Sequence, residues 1–473
     1  MKLFITLCLI ICFYGCNTTK TQNEKSSKKP NIILINIDDL GWKDLGFMGS
    51  TYYETPNVDK LANEGLIFIN AYAGAANCAP SRACMLSGLN TPKHGIFTVS
   101  PSDRGDTKTR KLIPIKNTDH LSDTIYTLPQ MLKSAGYITS SFGKWHVGNN
   151  PKNQGIDVNI GGSGKGNPGK NGYFSPYSID FIKNGPKGEY LTDRLTAEAI
   201  SFIKKHKDTT FFVYLPYYTV HTPIMGKEAL IKKFENKIGS NGQDRPDYAA
   251  MVASMDENIG RLLNTLKEVG LEENTLIIFT SDNGGIKSIS SQEPLRAGKG
   301  SYYEGGIRVP LIIKWPKHIK PNTVSYKTVS NLDFYPTLQT ITKPSKTAPL
   351  LDGIDLSPLF KNQNIVQRDL FFHFPIYLQN YKMGHDQSRD PLFRTRPGSV
   401  IISKNWKLHH YFEDDAIELY NLLDDVGEQN NLVKNHPEKA LELLNKLNEW
   451  RKKTKAPIPQ KLNPEYNPYF SNI

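Results

Sequence analysis

Residues 76–88 read ANCAPSRACMLSG, and they contain the cysteine on which the functional interpretation depends. Pro80 suits the first turn of a helix, and Met85 can face a hydrophobic core. A helix that begins here would point its first backbone amides at a group beside Cys78, and such amides favour an anion. The alternative is that Cys78 is a buried structural thiol, which is the usual state of a lone cysteine.

Two apolar runs elsewhere in the chain end on oxygen-bearing side chains. Asn31–Ile37 is a nearly continuous apolar run, as expected for a buried parallel strand, and Thr275–Thr280 is another. The side chains that come after these runs are Asp38, Asp39, Asp282 and Asn283. Open α/β sheets bind ligands at the carboxyl ends of their strands, and oxygen donors suit Ca²⁺ or Mg²⁺ better than zinc. These residues therefore predict a cation site, with a capping turn as the alternative for the two adjacent aspartates.

The order of the remaining segments predicts an α/β domain followed by a smaller α+β subdomain. Further strands are predicted at Leu66–Tyr72, Tyr137–Phe142, Phe211–Leu215 and Val309–Lys314. Helices are predicted at Thr55–Ala62, Thr127–Gly136, Leu191–Lys205, Asp247–Val269 and Asp333–Thr342. The Gly- and Asn-rich segment 149–172 is predicted to be a long loop over the site. After about residue 370, short alternating stretches and a helix at Pro437–Lys453 predict a small antiparallel sheet with one helix.

The string C-x-P-S-R at residues 78–82 is accompanied by four other stretches in a fixed order. They are DDLGWKDLG (38–46), GKWHVG (143–148), LRAGKGSYYEGGIRVP (295–310) and IELYNL (417–422). Together these stretches resemble the motifs of the type I sulfatases, and the resemblance runs from about residue 30 to 455. It implies a sulfuric ester hydrolase with an alkaline-phosphatase-like α/β fold. In that fold a mixed, mostly parallel sheet is sandwiched by helices, with a smaller C-terminal subdomain of antiparallel sheet plus helix.

The resemblance also assigns roles to individual residues. It implies that a sulfatase-maturing enzyme oxidises Cys78 to formylglycine (3-oxoalanine), and that the protein binds one Ca²⁺ ion. The implied calcium ligands are Asp38, Asp39, modified Cys78, Asp282 and Asn283. The implied catalytic residues are Cys78, Arg82, Lys144, His146, His221 and Lys299. Of these, the two lysines would bind the sulfate, His146 would contact the hydroxyl of the nucleophile, and His221 would lie near the leaving oxygen. Arg82 follows Cys78 by one helical turn, which lets its guanidinium sit beside the nucleophile.

The modification of Cys78 has a chemical reason. An aldehyde in water forms a geminal diol, and one of its hydroxyls, deprotonated beside a metal cation, can attack the sulfur and release the alcohol. The second hydroxyl then collapses the sulfated hemiacetal, expels sulfate and restores the aldehyde. A plain serine or cysteine lacks the second hydroxyl and would stall as a covalent adduct. A general acid is needed at the leaving oxygen, and the sequence leaves open whether His221 or another residue supplies it.

The N-terminal residues predict export. Residues 1–16 combine an early lysine, a short apolar run and a final Gly-Cys pair, which resembles a bacterial lipoprotein signal with Cys16 lipidated. Residues 17–29 then form a polar tether, residues 30–370 the catalytic domain and residues 371–473 the C-terminal subdomain. The predicted location is the bacterial cell envelope, with the protein held at the membrane by its lipid. An ordinary cleaved secretory signal is the alternative.

Composition narrows the classes of partner. The chain of 473 residues has five cysteines, and only Cys78 and Cys84 lie outside the signal, so no disulfide framework supports the exported part. Cys84 is predicted to be a packed helix residue. The net charge of +12 fits an acidic partner, with compositional bias as the alternative. The sequence shows no basic helix or known nucleic-acid module, which argues against nucleic acid.

The substrate is predicted only as a class. An exported sulfatase would act on sulfated polysaccharides or oligosaccharides, with algal polymers such as ulvan or carrageenan as the first choice and glycosaminoglycans as the second. The candidate substrate-binding residues are His94, His373, Arg394 and Arg396, for which a turn histidine or a solvated charge is the alternative. Two other functions remain open: a phosphodiesterase or phosphonate hydrolase of the same fold, which would use Ser or Thr and two metal ions, and a non-catalytic glycan-binding relative.

Overall fold

A mixed sheet of eight strands forms the centre of the structure. The computed structural model describes residues 29–381 and 385–470. The described residues contain strands of several sheets. In chain order these strands are β1 (Asn31–Ile37), β2 (Leu66–Phe68), β3 (Ala71–Tyr72), β4 (Ile138–Phe142), β5 (Val158–Ile160), β6 (Phe211–Pro216), β7 (Thr275–Ser281), β8 (Leu311–Lys314), β9 (Thr323–Ser325), β10 (Val329–Ser330), β11 (Leu370–Phe374), β12 (Leu378–Gln379), β13 (Phe393–Thr395), β14 (Gly398–Ser403), β15 (Trp406–Tyr411) and β16 (Ile417–Asn421). The central order is β5-β4-β6-β1-β7-β8-β2-β9. Its neighbours from β5 to β7 run parallel, whereas β8 is antiparallel to both β7 and β2.

Helices cover both faces of this sheet. In chain order they are α1 (Pro56–Asn63), α2 (Cys78–Ser87), α3 (Thr91–His94), α4 (Leu128–Ser134), α5 (Leu191–Lys205), α6 (Glu228–Phe234), α7 (Pro246–Glu268), α8 (Glu304–Ile307), α9 (Phe334–Thr342), α10 (Ser357–Phe360) and α11 (Pro437–Thr454). Short 3-10 turns occur at Gly46–Met48, Thr107–Thr109, Pro151–Gln154, Glu272–Asn274 and Asn331–Asp333.

Two hydrophobic cores, one on each face of the central sheet, explain the apolar sequence of β1. Ile33 and Ile35 pack in one core with residues of α5 and α7, and Ile32 and Leu34 pack in the other with residues of α2, α4 and α9. Because both faces are covered, every residue of β1 is buried and its sequence does not alternate. The structure thus confirms the predicted sheet sandwiched by helices.

A second, antiparallel sheet forms the C-terminal subdomain. Its order is β11-β14-β15-β16, and α11 packs on it through Leu443 and Leu447, which contact a core that includes Leu408 and Leu419. A further core joins this sheet to the main domain, where the ring of Tyr302 stacks on Phe374 with centroids 3.9 Å apart. The predicted antiparallel sheet with one helix is confirmed.

Two predicted elements differ from the structure. The segment 149–172 is not a loop throughout, since β5 lies within it and forms the edge of the central sheet beside β4. The predicted strand 66–72 is interrupted after Phe68, and its second part, β3, pairs with β10 in a separate small sheet. Three residues of β5 are too few to produce a recognisable sequence period.

The predicted export signal lies outside the described residues. This applies to residues 1–16, including Cys16, and to residues 17–28 of the tether. In the part of the chain that the structure describes, no helix is both long and apolar enough to cross a membrane.

Candidate active site

The carboxyl ends of β1 and β7 meet at one point of the central sheet. Asp38 and Asp39 follow β1, and Asp282 and Asn283 follow β7, which pairs with β1 along its whole length. The Asp282 carboxylate accepts a hydrogen bond from the Asp39 amide at 3.2 Å, and Asn283 Nδ2 donates to Asp39 Oδ1 at 2.9 Å. All four residues are buried. The sequence prediction that these oxygen donors converge agrees with this geometry.

Cys78 is the first residue of α2 and faces this cluster. Its Sγ lies 3.9 Å from Asp39 Oδ1, and the residue is only 1% exposed. Asn77 is the N-cap and provides no side-chain cap, so the first amides of α2 are not used by that side chain. The amide-rich start of the helix and the acidic strand ends therefore surround the thiol.

Two lysines neutralise the two adjacent aspartates. Lys144 Nζ donates to both carboxylate oxygens of Asp38, at 2.9 and 2.7 Å, and Lys299 Nζ donates to Asp39 Oδ2 at 2.6 Å. Burial alone would raise the pKa of the Asp39 carboxyl, but the Lys299 charge and its neighbours outweigh it and hold that pKa well below its ordinary value. Asp39 is therefore an anion at neutral pH.

Arg82 connects the nucleophile helix to the second strand end. Its Nε donates to Asp282 Oδ2 at 2.8 Å, and its Nη1 donates to the carbonyl oxygen of Lys144 at 2.7 Å. Burial would lower the pKa of Arg82, but Asp282 raises it above its ordinary value. Because the side chain is fully buried, this charge is fixed in place rather than free to move.

Two histidines border the cluster. Nδ1 of His221 donates to the carbonyl oxygen of Thr222 at 2.6 Å, and its Nε2 lies 3.7 Å from Asp39 Oδ2. Burial and the Lys299 charge lower the pKa of His221, so its ring is neutral at pH 7 with a free Nε2 lone pair. His146 is held by its amide, which donates to the Ser163 carbonyl at 2.9 Å. Burial, followed by the Lys144 charge, lowers the pKa of His146 well below its ordinary value.

The oxygen donors fit a hard divalent cation. Ligand atoms of Asp38, Asp39, Cys78 and His221 all lie within 4.8 Å of one another. Asn283 Oδ1 is buried and has no hydrogen-bond partner in the described residues, and leaving such an atom unpaired is costly unless a ligand takes it. The carboxylate of Asp282 differs in its partners, because it is bound by the fully buried Arg82 guanidinium and by a backbone amide, whereas a lysine ammonium binds the carboxylate of Asp38.

The four candidate substrate residues have different surroundings. His94 is buried, with Nε2 3.4 Å from Cys84 Sγ, and Nδ1 of His373 lies 2.8 Å from Ser399 Oγ while its Nε2 donates to the Pro457 carbonyl at 2.9 Å. Neither histidine faces the cluster, and both belong to the packing of the interior. Arg396 forms ion pairs with Asp390 and Glu413, and the substrate role of these three residues stays a prediction that none of these contacts supports. Arg394 alone contacts the site, since its Nη1 donates to the Lys299 carbonyl at 2.9 Å.

Sequence reasoning missed two residues that hold the site together. Asn331 Nδ2 donates to Ser81 Oγ at 2.9 Å, and Asn331 Oδ1 accepts from the Gly74 amide at 3.0 Å, which fixes the start of α2. No sequence signal marks this asparagine. Gly166 packs against the ring of His146, where a Cβ would lie 2.4 Å from Cε1. The glycine-rich composition of that segment was the available signal.

Comparison with known proteins agrees with the site. A sequence profile of the family described as Sulfatase matches residues 30–343, and one described as N-sulphoglucosamine sulphohydrolase, C-terminal, matches residues 298–454. The chain is 34% identical to a sulfatase of Formosa agariphila, over 97% of this chain and 95% of the relative. It is 29% identical to an N-acetylgalactosamine-6-O-sulfatase of Bacteroides thetaiotaomicron, over 91% of this chain and 94% of the relative.

A solved structure supports the same assignment. The crystal structure of Ps i-CgsB in complex with k-i-k-neocarrahexaose superimposes with a TM-score of 0.73 at 29% identity, over 89% of this chain and 93% of that chain. The Sulfatase profile spans well over half of the chain, and the Formosa relative matches almost all of it. The protein therefore belongs to the type I sulfatase family and is a sulfuric ester hydrolase of the alkaline-phosphatase-like fold.

Proposed function

We propose that the protein hydrolyses O-sulfate esters of sulfated polysaccharides or their oligosaccharides, with formylglycine formed from Cys78 as the nucleophile and one calcium ion as the cofactor. The observation that carries this proposal is the position of Cys78, whose Sγ lies 3.9 Å from Asp39 Oδ1 at the start of a helix. A relative that is named for N-acetylgalactosamine 6-O-sulfate and a structure bound to a carrageenan oligosaccharide support a sulfated glycan. Algal polymers are the first choice and glycosaminoglycans the second.

The calcium ion would be held at the ends of β1 and β7. Asp38, Asp39 and Asn283 offer the oxygens, with Asp282 and the modified Cys78 completing the set, and carboxylate and amide oxygens are the ligands that Ca²⁺ prefers. When bound, calcium stabilises negative charge on the sulfate oxygens, and formylglycine supplies the two hydroxyls that a thiol lacks. The observation that fits this assignment is the Oδ1 of Asn283, which has no hydrogen-bond partner in the part of the chain that the structure describes.

Lys144 and Lys299 would change partners when substrate binds. Their ammonium groups form ion pairs with Asp38 and Asp39, and neither lysine is more than slightly exposed. A divalent cation on these carboxylates would free the ammonium groups to donate to sulfate oxygens. Arg82 would remain on Asp282, where its two short contacts fix it, and would orient the nucleophile helix. The ammonium groups that would bind sulfate are thus already beside the nucleophile before substrate binds.

His221 would exchange the proton of the leaving group. The Thr222 carbonyl holds the Nδ1 proton, so Nε2 is the atom that can accept and return a proton. An anion bound beside the ring would raise the pKa that burial and Lys299 now lower, which makes the protonated state accessible in the substrate complex. His146, whose Nδ1 has no partner in the described residues, would accept from the hydroxyl of the nucleophile.

The burial of Cys78 also bears on its maturation. The thiol is 1% exposed and its helix is clamped by Asn331, so a sulfatase-maturing enzyme would reach it in the unfolded chain and not in the folded protein. Arg82, which the fold buries completely, would be accessible at the same stage.

We expect Cys78→Ala to abolish sulfate release. Protein produced together with a maturing enzyme is assayed with 4-nitrophenyl sulfate and with sulfated carrageenan, ulvan and glycosaminoglycan oligosaccharides. Loss of the nucleophile removes covalent catalysis, and we expect a fall of at least about 10⁴-fold in kcat/KM. Cys84→Ala is the matched control, because its thiol is buried in the same helix but contacts His94 and the Gly74 carbonyl. Sulfate release that survives in Cys78→Ala would contradict the proposal.

We also propose that the chain is exported and anchored to the bacterial cell envelope by a lipid on Cys16. The support is the sequence of residues 1–16, with its apolar run and final Gly-Cys pair. Cys16→Ser is expected to move the protein from the membrane fraction to the soluble fraction and to remove labelling by a fatty acid. Cys8→Ser, within the apolar run, serves as the control. Wild-type protein recovered unlabelled in the soluble fraction would sink the anchoring proposal.

A further inference from the structure

A basic and aromatic cluster lies beside Lys299, and the reaction described above does not use it. Arg394, on β13, is 7% exposed, and its Nη1 and Nε donate to the carbonyl oxygens of Lys299 and Gln379, each at 2.9 Å. Its guanidinium carbon lies 3.6 Å from the ring centroid of Tyr381. Gly300 leaves room for this contact, since a Cβ there would lie 2.9 Å from Arg394 Nη1. Arg394 therefore links the backbone of Lys299 to the ring of Tyr381.

β12 and β13 pair with each other in antiparallel fashion and form a hairpin. The loop that carries Arg104 packs against this hairpin. Asp103 forms a bridge with Tyr377, the residue before β12. A Cβ at Gly105 would lie 2.7 Å from the ring of Phe393, the first residue of β13, so the loop and the hairpin are in close contact. Arg104 lies between Asp103 and Gly105 in the chain and is half-buried. The hairpin thus brings Arg104 and Arg394 to the same side of the molecule.

The two arginines have an acidic group close by, Asp386, which accepts from the Tyr381 amide at 3.0 Å. Burial raises the pKa of Asp386, and the Arg394 charge offsets part of that rise. Arg104 Nη2 donates to the Ser100 carbonyl at 3.1 Å, and in the described residues neither Arg104 nor Arg394 forms an ion pair. Burial, followed by the Arg394 charge, lowers the pKa of Arg104, while Tyr381 and Cys78 act in the opposite direction. The geometry agrees, since a Cβ at Gly105 would lie 3.6 Å from Cβ of Gln379, whose carbonyl Arg394 binds, and Arg394 also binds the Lys299 carbonyl. Two neighbouring cations in such a place repel each other, and an anionic ligand would relieve the repulsion.

We propose that Arg104 and Tyr381 form a second binding subsite, which receives another anionic group of the saccharide whose sulfate is cleaved. The proposal rests on the proposed function and extends it to a substrate class: sugars with a second sulfate or a carboxylate near the scissile sulfate. Arg104 offers forked donors to that group, and Tyr381, which is 47% exposed, offers an aromatic face to the sugar ring. Arg394 is a positioning residue, because it fixes both the ring and the Lys299 backbone.

The test compares substrates that differ only in charge. The kcat/KM of the matured protein is measured for 4-nitrophenyl sulfate and for three matched pairs: mono- and disulfated N-acetylgalactosamine, mono- and disulfated carrageenan oligosaccharides, and sulfated N-acetylgalactosamine without and with a neighbouring uronate. In the pair that is cleaved fastest, the member with two anionic groups is expected to have a kcat/KM at least about tenfold higher. Arg104→Gln is expected to reduce this preference to less than about threefold, mainly through KM. Whether the sulfate or the uronate pair responds identifies the second group.

Two further variants separate binding from folding. Arg104→Lys keeps the charge but loses the fork, and an intermediate preference is expected. In Arg389→Gln the lost guanidinium lies over Tyr411 and pairs with Asp414 in the C-terminal subdomain, and the preference is expected to stay at the wild-type value. Equal cleavage within every pair, cleavage of 4-nitrophenyl sulfate alone, or an unchanged preference in Arg104→Gln would overturn the subsite and leave the sulfatase assignment intact. Failure to cleave 4-nitrophenyl sulfate and every saccharide would instead count against the proposed function itself.

Discussion

Asp39→Asn is expected to lower kcat/KM for sulfate release by at least about 1,000-fold, or about 4 kcal/mol, and to abolish calcium binding. The Asp39 carboxylate contacts four side chains of the site, since it accepts from Lys299 and Asn283 and lies near Cys78 and His221. An amide has the same shape but no charge, and its NH₂ group would point a donor at another donor. Sulfate release and bound calcium per chain are the measurements.

The substitution leaves the backbone unstrained, which makes the result interpretable. Asp39 has a φ of 61°, in the left-handed region that asparagine tolerates as well as aspartate. Because the buried Lys299 ammonium loses its carboxylate partner, the free energy of unfolding, measured without calcium, is also expected to fall, and activity is compared only for protein that is folded at the assay temperature. Asp424→Asn, in the exposed turn after β16, is the control and should keep wild-type activity. An Asp39→Asn protein with normal activity and a full complement of calcium would refute the assignment of Asp39 as a ligand.

Lys407→Met is expected to destabilise the protein by about 3–5 kcal/mol. Lys407, on β15, is fully buried, and its ammonium lies 2.9 Å from the carboxylates of both Glu304 and Glu428. Tyr72 donates to Glu304 at 2.9 Å, so this network joins the C-terminal sheet to α8, which follows the segment that carries Lys299. Methionine fills the volume, but it leaves Glu304 with Arg308 as its one remaining ion-pair partner in the described residues. Glu428 is left beside His409, whose pKa burial lowers well below its ordinary value, so that this ring supplies no charge. Urea denaturation gives the free energy of unfolding.

A matched series distinguishes lost charge from lost packing. Lys446→Met removes an exposed ammonium near Asp369 and is expected to cost less than about 0.5 kcal/mol. Combining Lys407→Met with Glu304→Gln and Glu428→Gln removes the carboxylate charges that Lys407 balanced and should restore part of the stability. If Lys407→Met were as stable as the wild type, the network would not be what secures the C-terminal subdomain.

The fold and the centre of the site were predictable because their signals are local. An uninterrupted apolar run that ends in two aspartates is explained by a strand covered on both faces, as β1 is, with its carboxyl end at the ligand edge. The helix at 191–205 was predicted to the residue, because its apolar residues recur with a clear helical period. Cys78 at the start of α2 follows from Pro80, which fits only the first turn of a helix.

The parts that could not be predicted depend on packing between distant segments. Nothing near His373 in the sequence reveals that Ser399 and Pro457 bind both its ring nitrogens in the interior. Arg394 and Arg396 lie two residues apart and look alike in the sequence, yet one contacts Lys299 and the other forms ion pairs with Asp390 and Glu413. Their roles are set by which neighbours the fold supplies, and a single sequence does not contain that information.

The conversion of Cys78 to the formylglycine nucleophile can be read from the mass of one peptide. The tryptic peptide Leu61–Arg82 contains Cys78 and no other cysteine. It is isolated from protein that was produced with a maturing enzyme and that releases sulfate. We expect a peptide whose mass is lower than that of the unmodified peptide by the thiol-to-aldehyde difference, and the fraction of this peptide is expected to rise in proportion to the specific activity of each preparation. A fully active preparation whose peptide carries only the unmodified thiol would contradict it.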